Sequence, residues 1–269
     1  MVRKTHCVNL RSMLGAIAGD VVGSVHEYAG TKTKTFPLFV RHSNFTDDSV
    51  LTVAVADWIL TNKDLIDTFH EYVRAYPGRG YGSMFGQWAS TKSRKPYNSY
   101  GNGSAMRVSP VGFAFGTIEE VLDYAARSAA VTHDHSEAIR GAQATAAAIF
   151  YARTYHDKKK LHDFVTSQFG YDLTRRLDDI RPQYSFTETC YGTVPQALIA
   201  FLESTSYEDA IRNAISLGGD ADTLACITGG VAEAYYGGVP SDIADRVMAL
   251  LDDRILNVVE QFRRRFNLA

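Results

Sequence analysis

The stretch FTDDSVLTVAVADWIL, residues 45–60, sets two carboxylates side by side and then turns apolar at once. Thr46 is a good helix N-cap, because its hydroxyl can accept from a first-turn N–H, and Asp47 and Asp48 then fill that turn. The positive end of the helix dipole favours both acids there. On this reading the pair is an ordinary acidic first turn. The other reading is that a second acidic cluster, elsewhere in the chain, needs this one as its partner.

Helical signals continue outward from that stretch. Residues 12–24 and 47–61 are apolar, with few turn formers. Thr117 and Glu120 form a capping-box pattern ahead of VLDYAARSAAV. Ser136 opens the alanine-rich SEAIRGAQATAAAIFYART, a strong helix former in which Ala142, Ala146 and Ile149 recur at helical spacing. Ser206 and Asp209 cap a further helix, and Ser241 precedes a final amphipathic helix expected to run to about Arg265. The best strand signal is TFPLFV at 35–40, and Pro37 argues against it. Glycine and proline gather between helices in PGRGYGS (77–83), KPYNSYGNGS (95–104) and LGGDAD (217–222). The expected fold is all-α, one compact multi-helix orthogonal bundle spanning residues 1–269 as a single domain.

Of the 269 residues, 45% are apolar and 22% charged, enough for a sizeable core. The formal net charge of −2 argues against broad electrostatic attraction to nucleic acid or an anionic membrane. Arg263, Arg264 and Arg265 read as a solvated helix end, where they complement the dipole. Cys7, Cys190 and Cys226 make no CxxC pair and no disulfide framework. MLGAIAGDVVGSV (13–25) follows Arg3, Lys4 and Arg11 like a secretion signal, but Asp20 interrupts it. No run is long enough to span a membrane. The expectation is a cytoplasmic monomer.

The second acidic cluster exists. Asp220, Asp222 and Thr223 follow Leu217-Gly218-Gly219 and open TLACITGGVAEAYYG (223–237), which reads as a buried helix. Gly229 and Gly230 within it predict the close approach of another helix. Four carboxylates with threonine hydroxyls form an all-oxygen set suited to Mg²⁺ or Mn²⁺. Two facing clusters can hold two ions and activate water. From the pattern alone, each cluster capping its own helix stays an equal alternative.

Other motifs are less decisive. GNGSAMR (101–107) is either a tight turn or an anion-binding nest of N–H groups, with Tyr97 and Tyr100 beside it for stacking or for the core. His133 and His135 in THDHSEA lack the further ligands of a zinc site; the default is a polar cap, the alternative a substrate hydrogen bond. Glu27 is expected at the C-terminal end of the first helix, where the dipole disfavours an acid, which hints at a function.

In order, GAIAGDVVGSVHE (15–27), FTDDS (45–49), SYGNGSAMRVSPVG (99–112), TH (132–133), YGTVPQAL (191–198) and SLGGDADT (216–223) resemble the ADP-ribosylglycohydrolase family over nearly the whole chain. The resemblance implies a compact all-α bundle with two Mg²⁺ (or Mn²⁺) ions in a cleft. It places metal ligands at Thr46, Asp47, Asp48, Asp220, Asp222 and Thr223, a functional glutamate at Glu27 and a further acid at Asp20. It places ADP-ribose contacts at Ser99, Tyr100 (adenine stacking), Gly101, Asn102, Gly103, Ser104, His133, Gly218 and Gly219. Ser104 stands where many members have glycine.

The implied activity is hydrolysis of the glycosidic bond between ADP-ribose and an acceptor, reversing ADP-ribosylation. Asp47, Asp48 or Asp222 would serve as base, and Glu27 would orient the ribose or aid the leaving group. Arginine is the acceptor slightly favoured; serine, nucleic acid and small ADP-ribose esters stay open. The chain is short for the family, which implies trimmed acceptor-shaping loops. Rival readings are a non-catalytic ADP-ribose-binding module on the same fold, which lost ligands would signal, and an aspartate-rich diphosphate enzyme, whose DDxxD is absent. GGDAD also looks a little like the loop of cyclic-dinucleotide synthases, but that loop sits on a β-hairpin.

Overall fold

Caps and glycines divide residues 13–266, those described by the computed structural model, into fifteen helical segments. They are α1 (Leu14–Gly23), α2 (Asp47–Thr61), α3 (Leu65–Ala75), α4 (Ser83–Ser90), α5 (Gly103–Met106), α6 (Ser109–Ala114), α7 (Ile118–Ala130) and α8 (Ser136–Tyr155). Then follow α9 (Lys158–Phe169), α10 (Leu177–Ile180), α11 (Cys190–Leu202), α12 (Tyr207–Ile215), α13 (Ala221–Tyr236), α14 (Ser241–Met248) and α15 (Asp253–Phe266). The all-α expectation holds: among the described residues there is no strand, only an isolated bridge between Gly101 and Thr189. Residues 35–40 are irregular, and Phe36, Leu38 and Phe39 pack against the core instead of pairing. Cys7, Arg3, Lys4 and Arg11 lie outside the described residues. No helix of the described residues is long and apolar enough to cross a membrane.

The local signals act as capping chemistry predicts. Thr46 accepts from Asp48 N, Ser206 accepts from Asp209 N, and Thr117 with Glu120 completes a reciprocal capping box. Two expectations need correction. The final helix breaks after Met248, because Asp252 accepts from Ile255 N (3.0 Å) and from the Tyr76 hydroxyl (2.9 Å) and so starts α15 afresh. The first helix ends at Gly23, so Glu27 lies four residues on, within the turns at 24–30 and not on the helix end.

α13 is buried from Ala221 to Ala234 and runs through the centre, against α1, α8, α11 and α12. Its contact with α1 is antiparallel and has no room for side chains. A Cβ on Gly15 would lie 2.5 Å from Gly229 O, one on Gly19 2.0 Å from Ala225 O, and one on Gly23 2.5 Å from the Asp222 Cα. Gly229 therefore meets α1, as expected, while Gly230 turns to Ile149 of α8 and Ser109 of α6. The start of α1 has no side-chain cap of its own; Glu233, wholly buried on α13, accepts from Gly15 N at 2.8 Å. The Tyr207 hydroxyl donates to Gly15 O at 2.7 Å. These contacts fix the C-terminal end of α1 beside the N-terminal end of α13.

Gly19→Ala is expected to destabilise the fold by about 2–3 kcal/mol, since the helices must part to admit a methyl group. Gly86→Ala, on α4 with nothing within 4 Å of the added carbon, should stabilise by about 0.5–1 kcal/mol. Urea melts of the two variants check the contrast; equal effects would show that the α1–α13 approach is not limiting.

Candidate metal centre and its cleft

Three helix ends converge on one acidic floor. Asp20, wholly buried near the end of α1, accepts from Thr46 N (2.9 Å), Thr46 Oγ1 (2.6 Å), Ser49 N (3.1 Å) and Ser49 Oγ. It thereby caps α2 from a different helix. Asp47 N is bonded to Arg79 O (2.8 Å), which ties the first turn of α2 to the glycine-rich 77–83 loop. Asp48 is 2% exposed. Its Oδ2 lies 3.2 Å from Thr46 Oγ1 and 3.4 Å from Thr223 Oγ1, while its buried Oδ1 has no hydrogen-bond partner.

On α13, Asp220 occupies the N-cap position yet makes no side-chain cap. Its Oδ2 accepts instead from Asn102 Nδ2 at 2.7 Å, and Asn102 also donates to Thr193 Oγ1 (3.1 Å) and, through its backbone N–H, to Glu188 O (2.7 Å). Helix capping therefore does not account for Asp220. Carboxylate oxygens of Asp20, Asp48 and Asp222 all lie within 4.8 Å of one another, as do those of Glu27, Asp220 and Asp222. Asp222 belongs to both groups, so the two sequence clusters, about 170 residues apart, become one site.

The donor set fits hard divalent cations: all ligating atoms are oxygens, and Asp48 holds an orphaned buried carboxylate oxygen where a cation would satisfy it. Asp20 differs, because four protein donors already occupy its oxygens. It positions the α2 end rather than offering free lone pairs.

Above this floor opens a cleft with about 890 Å³ of atom-free space counted to its mouth, within the range of small-molecule sites. Glu27, Thr46, Asp47, Asp48, Asp220, Asp222 and Thr223 line one part of it, and Ser99, Gly101, Asn102, Gly103 and His133 another. Four residues expected as contacts lie outside the cleft lining. Ser104 is wholly buried and donates to Ala138 O (2.9 Å), since its place in α5 faces α8. Gly218 and Gly219 take left-handed φ values of +70° and +77° to swing Asp220 into place, and they face Lys32 and Tyr184. Tyr100 is 55% exposed, and its ring packs edge-on to His135, outside the cleft wall.

The sequence reading did not single out Glu188, Arg107 or the Gly80–Phe85 wall formed by the glycine loop and the uncapped start of α4. An arginine inside the apolar AMRVSPVG, and three glycines in PGRGYGS, were the available signals; Glu188 has none.

The sequence profile described as ADP-ribosylglycohydrolase matches residues 10–268. The chain belongs to the ADP-ribosylglycohydrolase family. Similar proteins include ADP-ribosylhydrolase ARH3 of Xenopus tropicalis, 27% identical with 84% of this chain and 86% of that protein covered. ARH3 of Homo sapiens is 26% identical, with 84% of each covered. A solved structure described as an ADP-ribosylglycohydrolase-related protein complex superposes with a TM-score of 0.67 at 23% identity, over 95% of this chain and 98% of that one, and supports the fold.

Electrostatics in this family member follow from crowding acids out of water. Burial, then the neighbouring carboxylates, holds the Asp47, Asp48 and Asp222 acids well above their ordinary range. Burial also raises Asp20, against the bonds from Ser49 and Thr46, and raises Glu27, with Asp220 and Glu188 adding to it. No Lys or Arg among the described residues forms an ion pair with these acids. An acid with a raised folded pKa binds extra protons when folded. Its favourable contribution is full below the ordinary value of 3.8 and is lost as pH rises through the folded value.

In EDTA, Asp48→Asn should therefore melt above the wild type. The gap should widen from about pH 5 to about pH 8, at roughly 2–4 °C for each kcal/mol of relieved repulsion. Mg²⁺ should raise the wild-type melting temperature and leave the variant nearly unmoved. Scanning calorimetry with and without Mg²⁺ checks this; a gap independent of pH would refute the crowding account.

Proposed function

We propose that this chain is a divalent-cation-dependent hydrolase that cleaves the glycosidic bond between ADP-ribose and an acceptor on a modified protein, reversing ADP-ribosylation. One observation carries the reading: Asp222 belongs to both carboxylate groups on the floor of the cleft. A shared carboxylate suits two neighbouring Mg²⁺ or Mn²⁺ ions, which Thr46, Asp47, Asp48, Asp220, Asp222 and Thr223 would hold. Bound there, the ions supply Lewis acidity and lower the pKa of water.

The remaining work falls to the chain's own groups. The reaction breaks the bond from C1″ of the distal ribose to the acceptor, adds the hydroxyl of water at C1″ and returns a proton to the acceptor. Such bonds break through an oxocarbenium-like transition state. One of Asp47, Asp48 and Asp222 would take the water proton. Glu27 is half-buried beside Asp220 and Asp222, and its raised pKa suits a group that orients the ribose and hands a proton to the leaving acceptor. The Gly101–Gly103 loop and the start of α4 line the cleft, and the N-terminal end of a helix suits an anion such as a diphosphate. Phe85 and Tyr97 on the wall, with Tyr100 exposed beside it, offer the aromatic surface for adenine.

For the acceptor, the reading favours arginine. Tyr28 follows Glu27, and its exposed ring stacks on Phe186 at 5.6 Å, two residues before Glu188. An acidic lip bearing an aromatic pair suits a planar guanidinium.

The first test measures free ADP-ribose released from arginine-, serine- and DNA-linked substrates, each with Mg²⁺, Mn²⁺ or EDTA. The expected result is cation-dependent release, fastest from arginine, and abolished in Asp48→Ala. ADP-ribose binding without release from any linkage would favour a binding module instead. Asn102→Ala frees Asp220 and should weaken Mg²⁺ affinity about 10–100-fold, with turnover recovered at high Mg²⁺; a loss that Mg²⁺ does not rescue would contradict the positioning role of Asn102.

A further inference from the structure

Arg107 is an ionised group with no carboxylate. It is wholly buried, its Nε and Nη1 have no hydrogen-bond partner, and its guanidinium lies 4.6 Å from the centroid of the Phe69 ring. Only Nη2 is engaged, donating to Ser128 O (2.7 Å) and Thr132 Oγ1 (2.8 Å). Thr132 Oγ1 in turn lies 2.8 Å from His133 Nδ1. The other nitrogen of that ring faces the cleft: a Cβ on Gly103 would lie 3.1 Å from His133 Nε2. None of this is needed to hold the acidic floor, yet three polar groups are buried to build it.

Hydrogen-bond directions follow from the donor inventory. A guanidinium can only donate, so Thr132 Oγ1 accepts from Arg107. The single Thr132 proton is then free to point at Nδ1. The neutral imidazole has a dipole whose negative end is its unprotonated nitrogen, and the Arg107 charge lies on the Nδ1 side. Charge and dipole therefore favour the same arrangement, Nδ1 as acceptor and the proton on Nε2. Protonating both nitrogens is opposed by burial and by the nearby Arg107 charge, which hold the His133 pKa well below its ordinary value. The competing arrangement turns the Thr132 proton toward the Tyr97 hydroxyl and leaves the imidazole proton on Nδ1. It aims the imidazole dipole the wrong way at Arg107.

We propose that Arg107 and Thr132 are positioning residues that lock His133 as the neutral Nε2–H tautomer, a fixed hydrogen-bond donor to an oxygen of the ligand held against the Gly101–Gly103 loop. The ligand identity rests on the reading above; the tautomer does not. His133 then serves as neither acid nor base. A preset donor loses little freedom on binding and adds no charge beside Arg107. The buried arginine acts through the ring rather than on the ligand.

The test records long-range ¹H–¹⁵N correlations on protein labelled with ¹⁵N-histidine, using His133→Gln to identify the His133 signals. The wild type and Thr132→Ser should show Nε2 protonated and Nδ1 as acceptor, while Thr132→Val should admit the Nδ1–H form. Calorimetric titration with ADP-ribose should show about tenfold weaker binding for Thr132→Val and near wild-type binding for Thr132→Ser. A proton on Nδ1 in the wild type overturns the relay, whatever becomes of Thr132→Val. An altered tautomer with unchanged affinity overturns its role in ligand binding. A wild type that shows the Nε2–H form but binds no ADP-ribose confirms the relay and refutes the functional reading instead.

Discussion

The acidic floor depends on the glycine contact between α1 and α13. With Gly15, Gly19 and Gly23 against Ala225, Gly229 and Asp222, the two backbones touch. Only then does Asp20 come within reach of the same small space as Asp222. Asp20 in turn holds Thr46 and Ser49, which sets the first turn of α2 and so the direction of Asp48. Removing space from a helix interface thus fixes carboxylates on three helices. Glu233 secures the far end of the same interface, so α13 uses acids at both ends for opposite purposes.

Two kinds of buried carboxylate result. Asp20 and Glu233 accept backbone N–H groups and close helix ends without a cation. Asp48 and Asp222 crowd one another, and Asp48 Oδ1 is left unsatisfied. The first kind is settled by the fold itself. The second keeps its repulsion in the fold, as a set preorganised for a cation must, since it holds like charges together before binding. Folding and metal affinity therefore pull the same side chains in opposite directions.

Much of this was legible locally. Thr46, Thr117 and Ser206 announce their helices because a cap and its N–H are neighbours in sequence. Gly229 announced a close helix because a glycine in a buried helix has few other uses. The break at Asp252 was not legible, since its reason includes Tyr76, on the far side of the chain. Nor was the grip of Asn102 on Asp220, 118 positions apart. Gly218, Gly219 and Ser104 lie in the segments that carry the site, but they shape the backbone and the packing instead of lining the cleft. Glu188 sits in no pattern; only the bridge between Gly101 and Thr189 brings it in.

The segments at 24–40 and 184–189, which carry Glu27 and Glu188 of the cleft lining, lie outside the helices and are fastened to the helical scaffold at several points. One is Lys32, whose ammonium bonds both Tyr184 O and Leu217 O. That single side chain ties two rim segments to the turn that carries Asp220. The rim is thus held by side-chain joins such as Lys32, whereas the floor rests on the backbone contact of α1 with α13. A rim held so can change its side chains without moving the floor, which marks it as the place to alter what the cleft admits.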